Sequence, residues 1–231
     1  MEGKIVRRGT RTDEVGGRLR HDILSGVLLP GQRLTFPALA EKYGASVGVI
    51  RESLVKLLEH GLIVSEPHLG FRVTPLDQSG YEELTEARAE LESFVLRRAI
   101  SDGDLDWESR VVAAHHRLER TPRNAHGTSG TPTEEWLEAH ANFHNTLLDG
   151  CSNRRLLHMA ESLRDETELY RRWATPRAGA SAPSDENAPD EHRALLDAAV
   201  SRDADKAEQV LRQLIEYSSM LEITFGPDEQ I

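Results

Sequence analysis

GASVGVIRESLVKLLEHG, residues 44–61, is the most informative stretch of the chain. Ser46 is a good helix N-cap, because a serine hydroxyl accepts a hydrogen bond from an otherwise unpaired backbone N–H of the first turn. The apolar residues that follow repeat at helical spacing, which predicts an amphipathic helix ending before Gly61. Its predicted inner face consists of Ile50, Leu54, Leu57 and Leu58.

The segments on either side of this helix complete a small domain. A first helix is predicted from Asp13, and a second one ends at Gly44. Beyond the third helix the hydrophobic period changes, and residues 62–65 and 71–74 have the β-rich composition of a hairpin. The order helix, helix, tight turn, helix, hairpin is typical of a winged helix-turn-helix, which we place at residues 13–75.

The rest of the chain, residues 76–231, has helical periodicity and no convincing strand. Its loops are predicted at residues 121–133 and 175–190, which are polar or rich in proline. The predicted helices cover residues 79–100, 105–118, 153–173, 191–200 and 204–224. A capping box at residues 131–134, with Pro132 at the first helical position, predicts a further helix that ends at about Leu148. We therefore expect a mainly α protein, in which the winged helix-turn-helix precedes an antiparallel all-α bundle of six or seven helices.

A basic segment, residues 1–12, precedes the first helix and shows no apolar periodicity. It carries four basic residues against the single acidic residue Glu2. The segment is either a solvated tail or an arm that follows a phosphate backbone. The four basic residues are Lys4, Arg7, Arg8 and Arg11.

Composition excludes several classes of protein. The 231 residues contain no apolar run of eighteen, which excludes a membrane-spanning helix, and the basic N-terminus lacks the apolar segment of a signal peptide. The single cysteine, Cys151, permits neither an intramolecular disulfide nor a thiolate metal cluster. These observations predict a cytoplasmic protein.

The net charge of -11 at pH 7 is unevenly distributed. Residues 1–75 carry 11 Lys and Arg against 8 Asp and Glu, whereas residues 76–231 carry 17 against 31. Taken over the whole chain, the negative charge argues against nucleic-acid binding. The difference in charge between the two segments instead predicts a small, slightly basic module in front of a larger acidic one.

The predicted winged helix-turn-helix places a definite set of residues at DNA, because its second helix enters the major groove. Arg51 can bind guanine through two hydrogen bonds or hold a phosphate, and Ser46 can hold a phosphate at the helix N-terminus. The alternative for Arg51 is an ion pair with Glu52 or Glu59. The predicted DNA-binding residues are Arg33, Ser46, Val47, Gly48, Arg51, His68, Leu69 and Gly70.

Residues 13–75 resemble the winged helix-turn-helix of GntR-type bacterial transcription regulators. In that family the turn is usually followed by Val-Ser-Arg-Thr-Pro-Val-Arg-Glu-Ala-Leu. Here Val47 and Gly48 replace the common arginine and threonine, and Leu69 replaces the usual basic residue of the wing. The resemblance implies DNA-binding roles for Ser46, Arg51 and Gly70, with an operator that departs from the usual sequence. It is carried by Ile23-Leu24-Ser25-Gly26, Leu29-Pro30-Gly31, Gly44-Ala45-Ser46, Ile50-Arg51-Glu52-Ser53-Leu54, Gly61-Leu62-Ile63 and Gly70-Phe71-Arg72-Val73.

Residues 79–225 resemble the helical ligand-binding domain of the FadR subfamily, the FCD type. The resemblance implies a homodimer and a small organic acid as effector. It places Arg88 in the effector pocket, where a guanidinium can grip a carboxylate. The alternative is an i,i+4 salt bridge with Glu92. The matching residues are Glu86-Ala87-Arg88, Glu92, Phe143-His144, Cys151-Ser152-Asn153 and Glu191-His192.

Three histidines are candidate metal ligands. His140 and His144 are four residues apart and share one helix face. In the resemblance they and His192 match ligand positions, with His140 in place of an aspartate and the non-ligating Leu214 in place of a fourth ligand. Three imidazoles and an open position suit zinc or nickel; the alternative is a set of ordinary core or pocket histidines. The predicted effector-binding residues are Arg88, His140, His144 and His192.

These features predict a DNA-binding transcriptional regulator, acting as a repressor. It would bind a pseudo-palindromic operator as a homodimer and respond to a small, carboxylate-bearing metabolite. Since no nucleophile motif or paired-acid signature stands out, we do not expect an enzyme. Two other hypotheses stay open: a metal-dependent enzyme that uses His140, His144 and His192, and a structural module whose wing binds protein.

Overall fold

The chain is mainly helical and divides by its internal contacts into two units. One unit comprises residues up to Tyr81 together with Ser162–Thr175, and the other comprises Glu82–Glu161 and Pro176–Thr224. The computed structural model describes residues 10–123, 132–173, 175–176, 188–219 and 223–224.

The first unit contains the predicted winged helix-turn-helix. Its sheet is antiparallel, with the strand order β1-β3-β2. The elements are α1 (Arg11–Leu24), β1 (Arg33–Leu34), α2 (Phe36–Tyr43), α3 (Val47–Glu59), β2 (Ile63–Glu66) and β3 (Gly70–Val73).

Local hydrogen bonds set the ends of the first two helices. The Thr10 hydroxyl accepts from the backbone N–H of Asp13, and the Asp13 carboxylate accepts from the backbone N–H of Thr10. This capping box starts α1 at Arg11, two residues before the predicted start, so part of the predicted basic arm is helical. Residues 1–9 of that arm lie outside the described residues. Helix α2 ends at Gly44 as predicted, with a φ of 59° that favours glycine.

The core of the first unit lies between α1, α3 and the sheet. Ile50, Leu54 and Leu57 are buried as predicted, but Leu58 is 38% exposed and does not belong to the inner face of α3. Each fully buried side chain of this size contributes about 1.5–3 kcal/mol relative to its exposed state. The other buried members of the cluster include Val15, Leu19, Ile23, Leu62, Ile63, Val73 and Leu169.

The sheet differs from the prediction in two respects. The hairpin strands are shifted by one residue from residues 62–65 and 71–74, and β1 was not predicted. In the observed register Ile63 lies opposite Val73, and Arg33 lies opposite Arg72. A strand of two residues has no periodicity of its own and forms only because β3 offers it an edge.

The second unit is built from helices, as expected. Its core surrounds Trp107, whose indole N–H donates to the carbonyl oxygens of Thr146 and Leu147 at 3.0 and 3.2 Å. The helices are α4 (Gln78–Asp102, most of it here), α5 (Leu105–Arg120), α6 (Glu134–Leu148), α7 (Arg154–Trp173, its first part here), α8 (Ala188–Val200) and α9 (Ala204–Ser219).

Several predictions for the C-terminal part were wrong in detail. Two short strands, β4 (Thr175–Pro176) and β5 (Ile223–Thr224), form a sheet where a loop and a helix end were expected. Helix α6 starts at Glu134 with Thr133, not Thr131, as its N-cap. Helix α8 starts at Ala188 rather than at residue 191, and α9 ends at Ser219. The other residues of the predicted loops, 124–131 and 177–187, lie outside the described ranges. None of the described helices has the length and apolar character needed to cross a membrane.

Candidate DNA-binding face and histidine cluster

Helix α3 begins with the predicted cap. The Ser46 side chain accepts a hydrogen bond from the backbone N–H of Val49 at 3.4 Å. A Cβ atom built on Gly48 would meet nothing nearer than the Ser46 hydroxyl, at 3.8 Å. The first turn of α3 therefore offers backbone N–H groups at an open surface, where the helix dipole favours a negative charge.

One side of α3 is free of the core. Val47 and Val55 are 46% and 42% exposed, and Gly48 and Arg51 are also exposed. We call these four residues the α3 face. Because the opposite side of the helix is buried, this face is open to a partner.

Arg51 does not form the ion pair considered as its alternative. Its guanidinium carbon lies 4.7 Å from the centre of the Phe36 ring. Glu52 instead accepts a hydrogen bond from the Thr12 hydroxyl at 3.0 Å. Among the described residues, no carboxylate lies within ion-pair distance of Arg51, so its N–H donors are available for a ligand.

The wing ends in a tight turn between β2 and β3. His68 and Gly70 have φ angles of 66° and 88°, in the left-handed region, and Glu66 lies opposite Gly70 in the register. Glycine adopts this conformation without a steric cost, which supports the predicted role of Gly70 in the turn. His68 and Leu69 are exposed at the tip, Leu69 by 55%.

Several basic side chains of the first unit have partners within the unit, and Arg33 differs from them. Arg11 and Arg18 donate to the carbonyl oxygen of Tyr43 at 3.3 and 3.4 Å, and these hydrogen bonds satisfy a carbonyl group at the C-terminal end of α2. Arg72 pairs with Glu66 along the hairpin. Arg33, by contrast, is exposed on β1 and has no ion pair within the described part of the chain.

The second unit brings the three predicted histidines together. His140 and His144 of α6 and His192 of α8 are buried, and one nitrogen of each ring lies within 4.8 Å of the others. The Nε2 atoms of His144 and His192 are 3.2 Å apart. We call these residues the histidine cluster.

The histidine cluster fits a divalent transition metal. Zinc–nitrogen bonds of about 2.0–2.1 Å in a tetrahedron put two ligand nitrogens about 3.3–3.4 Å apart, close to the 3.2 Å found for His144 and His192. Neutral imidazole is a preferred ligand of zinc and nickel. Leu214 packs against the core and brings no ligand atom. The donor set is therefore three imidazole nitrogens, one ligand fewer than a tetrahedral zinc ion takes.

Aromatic rings orient the histidine cluster. Trp136, one turn before His140 on α6, stacks on its ring at 4.9 Å with an angle of 24° between the planes. The Arg123 guanidinium lies 5.2 Å from the centre of the Trp136 ring. This stack was not predicted, although the spacing of four residues between Trp136 and His140 places the two rings on one helix face and could have indicated it.

Arg88 forms the alternative contact that the sequence offered. Its Nε lies 2.6 Å from Oε1 of Glu92, and the two side chains are 8% and 0% exposed. This ion pair uses the Nε–H of Arg88, so the other N–H donors of its guanidinium lie outside the contact with Glu92.

A fourth buried histidine, His115 of α5, packs edge-on to Phe143 at 5.3 Å between ring centres. Burial lowers the pKa of His115 below its usual value, so its ring stays neutral at pH 7. It lies outside the set of three residues whose nitrogens converge.

Comparison with known proteins identifies both parts of the chain. Residues 11–73 match the family described as bacterial regulatory proteins, gntR family, and residues 83–217 match the FCD domain. An uncharacterized HTH-type transcriptional regulator of Paraburkholderia xenovorans, BphR, is 35% identical over 90% of this chain and 84% of its own length. The HTH-type transcriptional repressor GlaR of Escherichia coli is 31% identical over 84% of this chain and 88% of its own.

Solved structures show the same fold. Escherichia coli McbR/YncC superposes with a TM-score of 0.72 at 19% identity, covering 91% of this chain and 96% of its own. A GntR regulator from Rhodococcus sp. RHA1 gives a TM-score of 0.65 at 22% identity, covering 92% and 97% of the two chains. The chain belongs to the GntR family of bacterial transcriptional regulators and carries an FCD domain.

Proposed function

We propose that the chain is a sequence-specific repressor that binds a pseudo-palindromic operator as a homodimer. The observation that carries this proposal is the α3 face, with an arginine that makes no ion pair among the described residues and sits beside an open helix N-terminus. A two-fold symmetric protein matches a two-fold symmetric DNA site. The relative GlaR is named as a repressor, which favours that sign of regulation.

Each predicted DNA-binding residue has a role in this proposal. Arg51 reads a guanine in the major groove, and Val47 and Gly48 allow close approach, with Val47 able to meet a thymine methyl group. Ser46 and the N-terminus of α3 hold a phosphate. Arg33 and the wing tip, residues 68–70, contact the backbone or the minor groove. Since chromosomal operators are the ligand, the protein works in the bacterial cytoplasm.

The effector site of the proposal is the histidine cluster. A zinc or nickel ion held by His140, His144 and His192 would offer open coordination positions to a carboxylate oxygen. Arg88 would supply a charge-assisted hydrogen bond to the same ligand from N–H donors that Glu92 does not use. A small carboxylate-bearing metabolite then shifts operator binding to the extent that it prefers one conformation of the protein.

An enzymatic function is not proposed. The same three histidines could in principle activate a metal-bound water. However, the relatives that share most of the chain's length are named as regulators. A winged helix-turn-helix with an accessible α3 face is explained by DNA binding and has no part in that chemistry.

The test is the selection of fragments of the host's genomic DNA on the purified protein, followed by sequencing. We expect enrichment of a short inverted repeat by the wild-type chain and clearly weaker enrichment by Arg51→Ala, because one bidentate contact to a base contributes about 1–3 kcal/mol of discrimination. The matched control is Arg97→Ala on α4, which removes an equal charge from a side chain already paired with Asp205 and Glu208. Equal enrichment by the wild type and Arg51→Ala would contradict the proposed role of Arg51.

A further inference from the structure

The contact between Arg51 and Phe36 joins the two helices of the helix-turn-helix. Phe36 is the first residue of α2 and is half-buried, whereas Arg51 is exposed on α3. The distance of 4.7 Å from the guanidinium carbon to the ring centre lies within the range of a cation–π interaction.

The contact with Phe36 leaves the hydrogen-bonding capacity of Arg51 available. A guanidinium has five N–H donors, and a phenylalanine ring offers no oxygen or nitrogen atom to accept from them. A guanine edge or a phosphate therefore meets donors that Phe36 does not satisfy. The Phe36 ring limits the conformations of the Arg51 side chain and leaves its hydrogen-bond donors for a ligand.

The Phe36 ring is itself held by the wing. Its centre lies 6.0 Å from that of Phe71, with the planes at 74°, an edge-to-face arrangement. Phe71 belongs to β3 and lies opposite Leu34 of β1 and Ser65 of β2. A continuous chain of contacts thus runs from the sheet of the wing through two aromatic rings to Arg51.

We propose that Phe36 is a positioning residue for DNA recognition, which holds the Arg51 side chain in the conformation that binds DNA. An arginine that is already restrained loses less side-chain entropy on binding than a free one. Because Phe71 restrains Phe36, the placement of the wing sets the placement of Arg51. This inference rests on the proposed function, since it presupposes that Arg51 contacts DNA.

A double-mutant cycle tests this role. The measured quantity is the ratio of affinities for a selected operator and for a scrambled duplex, at one salt concentration. We expect Phe36→Leu to lower this ratio about three- to tenfold, the range of a moderate cation–π contact, and Phe36→Tyr to keep it within about twofold. In an Arg51→Ala background, Phe36→Leu should change the ratio by less than about twofold, because its partner is absent.

The outcomes separate this inference from the proposed function. An equal loss with and without Arg51 would show a purely structural role for Phe36 and overturn the inference. A wild-type ratio near one would instead contradict the proposed function.

Nuclear magnetic resonance of arginine-labelled free protein provides an independent readout. The Arg51 Hδ protons should be shifted upfield by the Phe36 ring, and Phe36→Leu, or Phe36→Met if the leucine variant does not fold, should remove the shift. Unshifted Arg51 protons in the wild type would overturn the inference without reference to DNA.

Discussion

At the scale of single residues, Ser46 combines two functions that can be separated. Its hydroxyl caps α3, and the same position faces the proposed phosphate. Asparagine and aspartate are both good N-caps, but only aspartate adds a negative charge. The pair Ser46→Asn and Ser46→Asp therefore changes the charge at this position while the cap is kept.

We expect Ser46→Asp to weaken DNA binding at least tenfold at low salt, because its carboxylate repels the phosphate backbone. The melting temperatures of Ser46→Asp and Ser46→Asn should stay close to that of the wild type, whereas Ser46→Ala should cost about 1 kcal/mol of stability. Fluorescence anisotropy with labelled operator and thermal melts provide the two measurements. DNA affinity that is equal in the Asp and Asn variants would exclude a phosphate at this helix end.

At the scale of elements, the second part of α7 stabilises the winged unit through Asp165. Oδ1 of this residue accepts a hydrogen bond from Arg20 of α1 at 2.7 Å, and Oδ2 lies 3.0 Å from Nδ1 of His60. Burial by itself would raise the pKa of Asp165. The close contact with His60 and the charge and hydrogen bond of Arg20 outweigh burial and hold the pKa of Asp165 below its usual value.

Because its pKa is lower in the folded protein, ionised Asp165 stabilises the folded state, and this stabilisation depends on pH. The contribution is complete above about pH 4, the ordinary pKa of an aspartate, and is lost as the pH falls through the lower pKa of the folded state. We expect Asp165→Asn to cost about 1 kcal/mol at pH 7 and clearly less at pH 3.

Urea unfolding at the two pH values measures this effect. Glu161→Gln, an exposed carboxylate one turn earlier on α7, is the control and should cost little at either pH. An Asp165→Asn cost that does not change with pH would show that the contacts of this carboxylate do not depend on its ionisation.

The histidine cluster is the element-scale feature of the second unit. Binding of zinc or nickel should raise its stability, by about 2.7 kcal/mol when the free metal is a hundredfold above its dissociation constant. His144→Ala should weaken metal binding at least about tenfold, and His116→Ala, an exposed histidine of α5, should leave it unchanged. Calorimetric titration and thermal melts measure both effects. An equal metal response in His144→Ala and the wild type would show that the metal binds elsewhere.

Much of this architecture could be predicted from local sequence, and the exceptions are of two kinds. Ser46, Gly44 and the periodicity of α3 act within a few residues, so they predicted the helix-turn-helix. The convergence of His140 and His144 followed from their spacing, and the approach of His192 from the family resemblance. Two features that join residues distant in sequence, the strand β1 and the contact of Arg51 with Phe36, were not predictable. The exposure of Leu58 and the stack of Trp136 on His140 were missed for a different reason, because both are local and the four-residue spacing of Trp136 and His140 could have shown the stack.

At the scale of the whole molecule, charge limits how DNA can be bound. The net charge of -11 opposes association with a polyanion, while residues 1–75 carry a small excess of basic residues. Attraction from one winged unit is therefore expected to be modest, and in the proposed homodimer two units on one inverted repeat would add their contributions. In this proposal, specificity comes from contacts such as that of Arg51 rather than from a strongly basic surface.

The most direct measurement compares the affinity of the full chain for its selected inverted repeat with that for a scrambled duplex of equal length and composition. Both titrations are made at the same near-physiological salt concentration, with zinc and without it. A sequence-reading regulator is expected to prefer the repeat by about a thousandfold or more. Equal affinities under both conditions would contradict sequence-specific operator binding and leave the α3 face without its proposed ligand.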